Sequence, residues 1–243
     1  IQNGWRSYHS DIFHKLSTLN KAEKLNVNNM LVFGSEIGKL YSKNIKGNFK
    51  VVGSIKNNAN EISKASKKNI VIYISQWIET DFIIENRHFN NTNYSYPCDN
   101  IIIPTLIKFS KENNYDFYIL TRSEYKSEFE AMEIKYFKDT FSQKINFFNK
   151  NNYKNSYDII DTANIVTGVD STLLYESISR GNKTGVFSFR GHLLNLKGFN
   201  YGWPGNFLDV GDYWTNFPDE KKIKQILDLL NSKSYNDIKL IYN

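Results

Sequence analysis

Cys98 is the only cysteine in 243 residues. A lone thiol excludes an intrachain disulfide and a cysteine-rich metal site, and it fits a reducing compartment such as the cytoplasm. No apolar run approaches the roughly 20 residues a helix needs to cross a bilayer. No internal repeat stands out. Four histidines are too few and too scattered for a convincing metal spacing, His9 and His14 included. No long basic block appears, so nucleic acid is not an expected partner. The net charge is nevertheless +6, with Lys far outnumbering Arg. That charge either spreads over a Lys-, Asn- and Ile-rich surface or attracts an anion: a nucleotide, nucleic acid or an anionic membrane. The opening "IQNGWRSYHS" shows neither an initiator Met nor a signal-peptide pattern, and we expect a piece of a longer chain.

What is present suffices for a core: 40% hydrophobic and 15% aromatic residues, enough for one or two domains. Short apolar runs predict strands at 30–33, 49–52, 70–75, 116–120, 145–148, 164–167 and 184–187. Amphipathic segments predict helices at 35–42, 100–113, 124–137, 156–162, 172–180 and 219–231. Such alternation means βαβ units and a parallel sheet buried between helix layers. The Asn-rich "HFNNTNYSYPCDN" is expected to be a long loop, and its Asn90 and Asn93 triplets are chance matches in so Asn-rich a chain.

Ligands of an open parallel sheet sit outside the carboxyl ends of its strands. The informative loops are therefore "GSEIG", "GSIKNN", "SQWIETD", "TRSE", "GVDST" and "SFRGH". In "GVDST", Gly168 permits a sharp turn, and Asp170 or Ser171 is a good N-cap for the next helix. The uncapped amides and macrodipole there suit an anion. Ser171 and Thr172 can add hydroxyl donors to a phosphate. Glu176 lies one turn on, along the same face, where a carboxylate could accept from two ribose hydroxyls. An ordinary capped helix with an exposed Glu has the same spacing.

The segment "DSTLLYESISRGNKTGVFSFRG" resembles the C-terminal nucleotide-binding segment of GT-B glycosyltransferases. The likeness is greatest to the bacterial surface-carbohydrate group related to capsule and O-antigen transferases using CMP-Kdo or similar CMP-activated acidic sugars. "IQNGWRS", "VVGSIKNN", "IVIYISQW", "FNYGWPG" and "DYWTNFPDE" extend it over nearly the whole chain. The resemblance implies a Rossmann-like parallel sheet flanked by helices, the donor-binding C-terminal half of a GT-B fold, over 30–243. Residues 1–29 would enter from the interdomain region of a missing N-terminal domain.

By resemblance, Ser171 and Thr172 would hold the nucleotide phosphate and Glu176 the ribose, with Asp170 part of the same nucleotide-binding set. Gly53, Ser54, Ser75 and Gln76 would line the cleft for sugar and base, and Arg122 would face the base or a carboxylate. Arg6 and Asp11 fall where such chains enter the interdomain cleft. Asp11 would be the nucleophile or base, or else a helix cap, and Arg6 would pair with an acidic sugar. No metal and no cofactor beyond the nucleotide-sugar donor is implied. The acceptor would be a glycan or lipid-linked glycan, met at the cytoplasmic face of the inner membrane with peripheral contact. His192 would approach the donor. The loops "YGWPG" and "DYWT" would stack on a sugar or peg the C-terminal helix. A nucleotide-sugar epimerase of the same fold and a non-catalytic nucleotide-binding module are the alternatives.

Overall fold

The structure is a computed structural model describing Leu16 and residues 25–63, 66–141, 145–196, 198–205 and 207–242. A small unit comes first: β1 (Leu25–Val32), α1 (Ser35–Ser42) and β2 (Ile45–Val51). Its two strands pair in parallel, so α1 is the crossover. Val32, Ile37, Tyr41 and Ile45 close its core with Leu16. The domain boundary expected at residue 30 falls inside β1. A turn of helix, α2 (Ile55–Asn58), starts the connection to the larger unit.

The larger unit contains β3 (Lys68–Ile74), β6 (Asp116–Leu120), β7 (Asn146–Phe147), β8 (Ala163–Gly168), β9 (Lys183–Phe187) and β10 (Trp214–Thr215). They form one sheet in the order β10-β9-β8-β3-β6-β7, every pairing parallel. From β3 the chain runs outward one way through β6 and β7, then returns beside β3 as β8 and runs the other way. That is the doubly wound Rossmann order, and its switch point lies beside β3. "KNIVIYI" suits this centre: Val71, Ile72 and Tyr73 are wholly buried, as a strand covered on both faces requires.

Helices complete the layers. The pair α3 (Tyr96–Glu112) and α8 (Glu220–Ser232) pack together, as do α5 (Ser156–Thr162) and α6 (Thr172–Ser179). The C-terminal helix, α9 (Tyr235–Tyr242), has no counterpart in the sequence expectations. Its Tyr242 hydroxyl accepts from Thr184 N (2.6 Å) and donates to Asn182 O (2.9 Å). Among the described residues no helix is long and apolar enough to cross a membrane.

Two expectations are corrected. The Asn-rich stretch is mostly structured: a hairpin of β4 (Phe82–Ile84) and β5 (Arg87–Phe89) leads into a π-helical turn and then α3. The Asn90 side chain accepts from Thr92 N and Asn93 N, while Asn93 returns a bond to Asn90 N. These reciprocal caps do for a polar segment what apolar burial does elsewhere. The helix expected from 124 begins four residues later, as α4 (Glu128–Phe141). Glu130 accepts from the Thr121 hydroxyl (2.8 Å) and Lys126 N (2.7 Å), and Glu133 from Arg122 N and Ser123 N (both 2.9 Å). Residues 121–126 thus satisfy their amides by folding back on the helix rather than joining it.

One core carboxyl ties three elements. Asp99 of α3 accepts from Tyr73 of β3 and from Tyr136 of α4 (3.1 Å). Burial pushes its carboxyl up to about 6, against the pull of both phenols and of Arg190. A folded-state pKa above the unfolded one means the native protein holds the extra proton. The stability this contributes is present below pH about 4 and lost as pH rises through about 6. Asp99→Asn removes the titration. The wild-type stability minus that of Asp99→Asn is therefore expected to fall by about 2–3 kcal/mol between pH 4 and 6.5 in urea denaturation. A flat difference would mean the carboxyl titrates as in the unfolded chain.

Candidate functional site

A cavity of about 690 Å³ opens at the switch point, against the C-terminal ends of β3, β6 and β8. It gathers Ser75, Gln76, Arg122, Asp170, Ser171 and Thr172 from three separate loops. Ser75 is fully buried, and its hydroxyl accepts from Trp77 N (3.1 Å), which turns the chain off β3. Gln76 O accepts from the Ser95 hydroxyl (3.1 Å). Arg122 is exposed at the cavity edge, and its Nη1 donates to Trp77 O (3.1 Å).

The β8–α6 turn sits in the cavity wall. A Cβ on Gly168 would stand 3.2 Å from Ile74 O and 3.1 Å from Leu174 Cδ1, so a side chain here would push the end of β8 and its neighbours apart by a few tenths of an ångström. Ser171 is the N-cap, its hydroxyl accepting from Leu173 N (3.3 Å). Asp170 has a different partner. Both its oxygens accept from Arg190 Nη1, at 2.6 and 2.8 Å. Arg190 is 1% exposed and lies 3.9 Å from the ring centre of Tyr94. Burial opposes the guanidinium's charge most strongly, but Asp170, with Tyr94, Cys98 and Tyr73 adding to it, raises the net affinity for the proton and holds Arg190 protonated. Arg190 Nε has no hydrogen-bond partner among the described residues. The sequence reading passed over Arg190 and Tyr94. An Arg in a strand-end loop was the available signal, but only the fold shows which carboxylate it meets.

Thr172 also borders a second, mainly apolar cavity of about 360 Å³ between the two units. There stand Gly53, Ser54 and Glu176, walled by Phe33, Trp203 and Phe207. The site residues expected from the sequence thus fall into two cavities that meet at the start of α6. Gly53 takes φ +68°, the left-handed region, and Ser54 caps α2. The Ser54 hydroxyl donates to Glu176 Oε1. Glu176 is 8% exposed, not the solvent-facing residue of an ordinary capped helix. Burial, then the Glu176 carboxylate beside it, pushes the Tyr157 hydroxyl up to about 12.

A buried pair fixes this junction. Arg180 binds both oxygens of Asp161 (3.0 and 2.5 Å) and reaches Asn60 O (2.9 Å) and Glu61 O (2.8 Å) in the connecting segment. Ser54 is thereby held opposite Glu176.

Arg6 and Asp11 lie outside the described residues. His192 does not face the switch-point cavity; it borders another, of about 440 Å³, with its ring edge-on to Phe217. The aromatic loops also pack on neighbouring elements. Trp203 packs against the core of the small unit, and Tyr213 meets Tyr242 of the C-terminal helix at 4.6 Å.

A family model described as "putative O-antigen biosynthesis protein" matches residues 1–243. A comparison with curated proteins found no match. Among solved structures, the chain is similar to a glycosylation-associated protein complex, Gap123, from Streptococcus agalactiae: TM-score 0.50, 10% identity, covering 89% of this chain and 41% of that one. It is also similar to the wall teichoic acid polymerase TagF, with TM-score 0.48, 12% identity and coverage of 88% and 52%. For the UDP-GlcNAc 2-epimerase of Methanocaldococcus jannaschii the figures are 0.45, 10%, 82% and 53%. At these identities the likeness is one of fold. The chain spans about half the length of the structures it matches.

Proposed function

We propose, from the premise that this chain belongs to that family of O-antigen biosynthesis proteins, that it is the donor-binding part of a glycosyltransferase. One observation carries the reading: the N-terminus of α6 stands between a polar and an apolar cavity at the switch point of a doubly wound sheet. A nucleotide sugar has the same three parts in the same order. Its phosphate fits the α6 amides with Ser171 and Thr172. Its ribose reaches Glu176, and its base enters among Phe33, Trp203 and Phe207. Its sugar occupies the larger cavity with Gln76 and Arg122. The helix dipole and amides stabilise the charge that develops on the leaving phosphate, which requires no metal. Asp170 acts through Arg190, keeping the turn in place.

Arg122 at the sugar end favours an acidic donor, which we take to be a CMP-activated sugar such as Kdo. Arg6 and Asp11 remain our candidates for contact with that sugar's carboxylate and for the nucleophile or base. The acceptor is a glycan or lipid-linked glycan at the cytoplasmic face of the inner membrane. Exposed Phe207, Leu208 and Val210, with the net charge of +6, support peripheral contact there.

Glu176→Gln tests the placement. It is expected to weaken CMP binding by about 1.5–3 kcal/mol in calorimetry, leaving affinity for inorganic phosphate nearly intact. If a 2′,3′-dideoxy analogue loses as much affinity as CMP does, Glu176 does not hold the ribose. Turnover is tested with the full-length enzyme and a CMP-sugar. Sugar transfer only when acceptor is present supports transferase chemistry, and interconversion without acceptor would make the protein an epimerase.

A further inference from the structure

We infer that the cavity of about 440 Å³ beside α7 (Arg190–Leu193) is a subsite for a neutral sugar residue, held by the Asp209 carboxylate and packed on the Phe217 ring. Gly191, His192, Asn200, Asp209, Asn216 and Phe217 line it. Amides, one carboxylate and an exposed ring are the groups that match a sugar. A vicinal diol donates to a carboxylate and accepts from amide N–H groups, while its C–H face packs on an aromatic ring.

The groups are held in place before any ligand arrives. Asn216 is 2% exposed; its Oδ1 accepts from Tyr201 N (2.8 Å), and its Nδ2 donates to Asp209 Oδ1 (3.0 Å). Asn200 Nδ2 donates to the same oxygen (3.3 Å). Asp209 O accepts from Asn216 N (2.8 Å). Asp209 Oδ2 has no hydrogen-bond partner among the described residues, and the residue is exposed. The tight fit extends to the floor, where a Cβ on Gly191 would meet Asn200 Oδ1 at 1.9 Å. His192 stands edge-on to Phe217 with ring centres 5.3 Å apart, and Phe217 is 41% exposed, so part of its ring is open. Such pre-ordering lowers the entropy cost of binding a small polar ligand.

The cavity shares its wall with the switch-point cavity. Arg190 and Phe199 line that one, while their chain neighbours Gly191, His192, Gly198 and Asn200 line this one. The carboxylate of Asp209 repels a nucleotide or an acidic sugar, so a neutral residue is the ligand this cavity selects. That the sugar belongs to the acceptor rests on the glycosyltransferase reading; that the cavity binds a neutral sugar does not.

The test titrates the chain with a panel of neutral mono- and disaccharides, following the His192 imidazole and Asn216 amide resonances, with CMP affinity measured in the same samples. Shifts confined to this cavity are expected for at least one neutral sugar and not for its uronic acid counterpart. Asp209→Asn and Phe217→Ala should each weaken that sugar at least tenfold and leave CMP affinity unchanged. If Asp209→Asn does not fold, the exposed Phe217→Ala decides alone. Absence of shifts with every neutral sugar, or unchanged affinity in Phe217→Ala, overturns the subsite. Sugar binding here in a chain that fails to bind CMP would overturn the donor-site reading and leave the subsite standing.

Discussion

Asp170→Ala is expected to lower the melting temperature by on the order of 10 °C. The reason is the partner it leaves behind. Arg190 is buried, its Nη1 bonds both Asp170 oxygens, and its Nε already lacks a hydrogen-bond partner among the described residues. Removing the carboxylate strands a charge in the protein interior, where breaking a buried pair costs about 3–5 kcal/mol. A chain of this size loses roughly 2–4 °C per kcal/mol. The stranded charge, not the lost contact, is the cause, so a paired replacement should behave differently. Asp170→Leu with Arg190→Met keeps the volume and removes both charges. It is expected to regain most of the lost stability. Circular dichroism melts of the single and double variants form the cycle. A loss below about 1 kcal/mol in Asp170→Ala, the size seen for an exposed pair, would show that water reaches the guanidinium.

The largest expected effect on binding follows from Ser171→Ala combined with Thr172→Ala. If the nucleotide phosphate sits at the start of α6, the double variant loses two hydroxyl donors to a charged group, each worth about 1.5–3 kcal/mol. CMP affinity should then fall at least about 100-fold, since each 1.4 kcal/mol is a factor of ten. A second cost is separable. Ser171 is the N-cap, so its loss also weakens α6 by about 1 kcal/mol. Ser171→Asn keeps a capping side chain while changing the donor, and it should retain the melting temperature of the wild type with weakened CMP binding. Calorimetry showing unchanged CMP affinity in the double alanine variant would move the phosphate away from α6.

The fold class could be read from the chain because its signals are local. Apolar runs such as "KNIVIYI" and helix-length amphipathic segments occur in alternation, and a strand buried on both faces has few other ways to be satisfied. The β8–α6 turn was equally legible: glycine, a capping serine and a carboxylate one turn on are neighbours in sequence, and the structure gives Gly168, Ser171 and Glu176 their places within one short segment. What only the tertiary structure decided involves partners far apart along the chain. Asp170 lines the switch-point cavity, but its partner there is Arg190, 20 positions away, whose guanidinium bonds both of its oxygens. Glu176 faces Ser54, 122 positions away, because Arg180 and Asp161 hold the connecting segment in place. Glu130 and Glu133 delayed α4 by offering carboxylates to the amides of the preceding turn. Helix and strand propensities are set by a residue's near neighbours, whereas the pairing of buried charges and amides is set by which elements the sheet brings side by side. The order of strands about β3 did that here, and composition alone does not encode it.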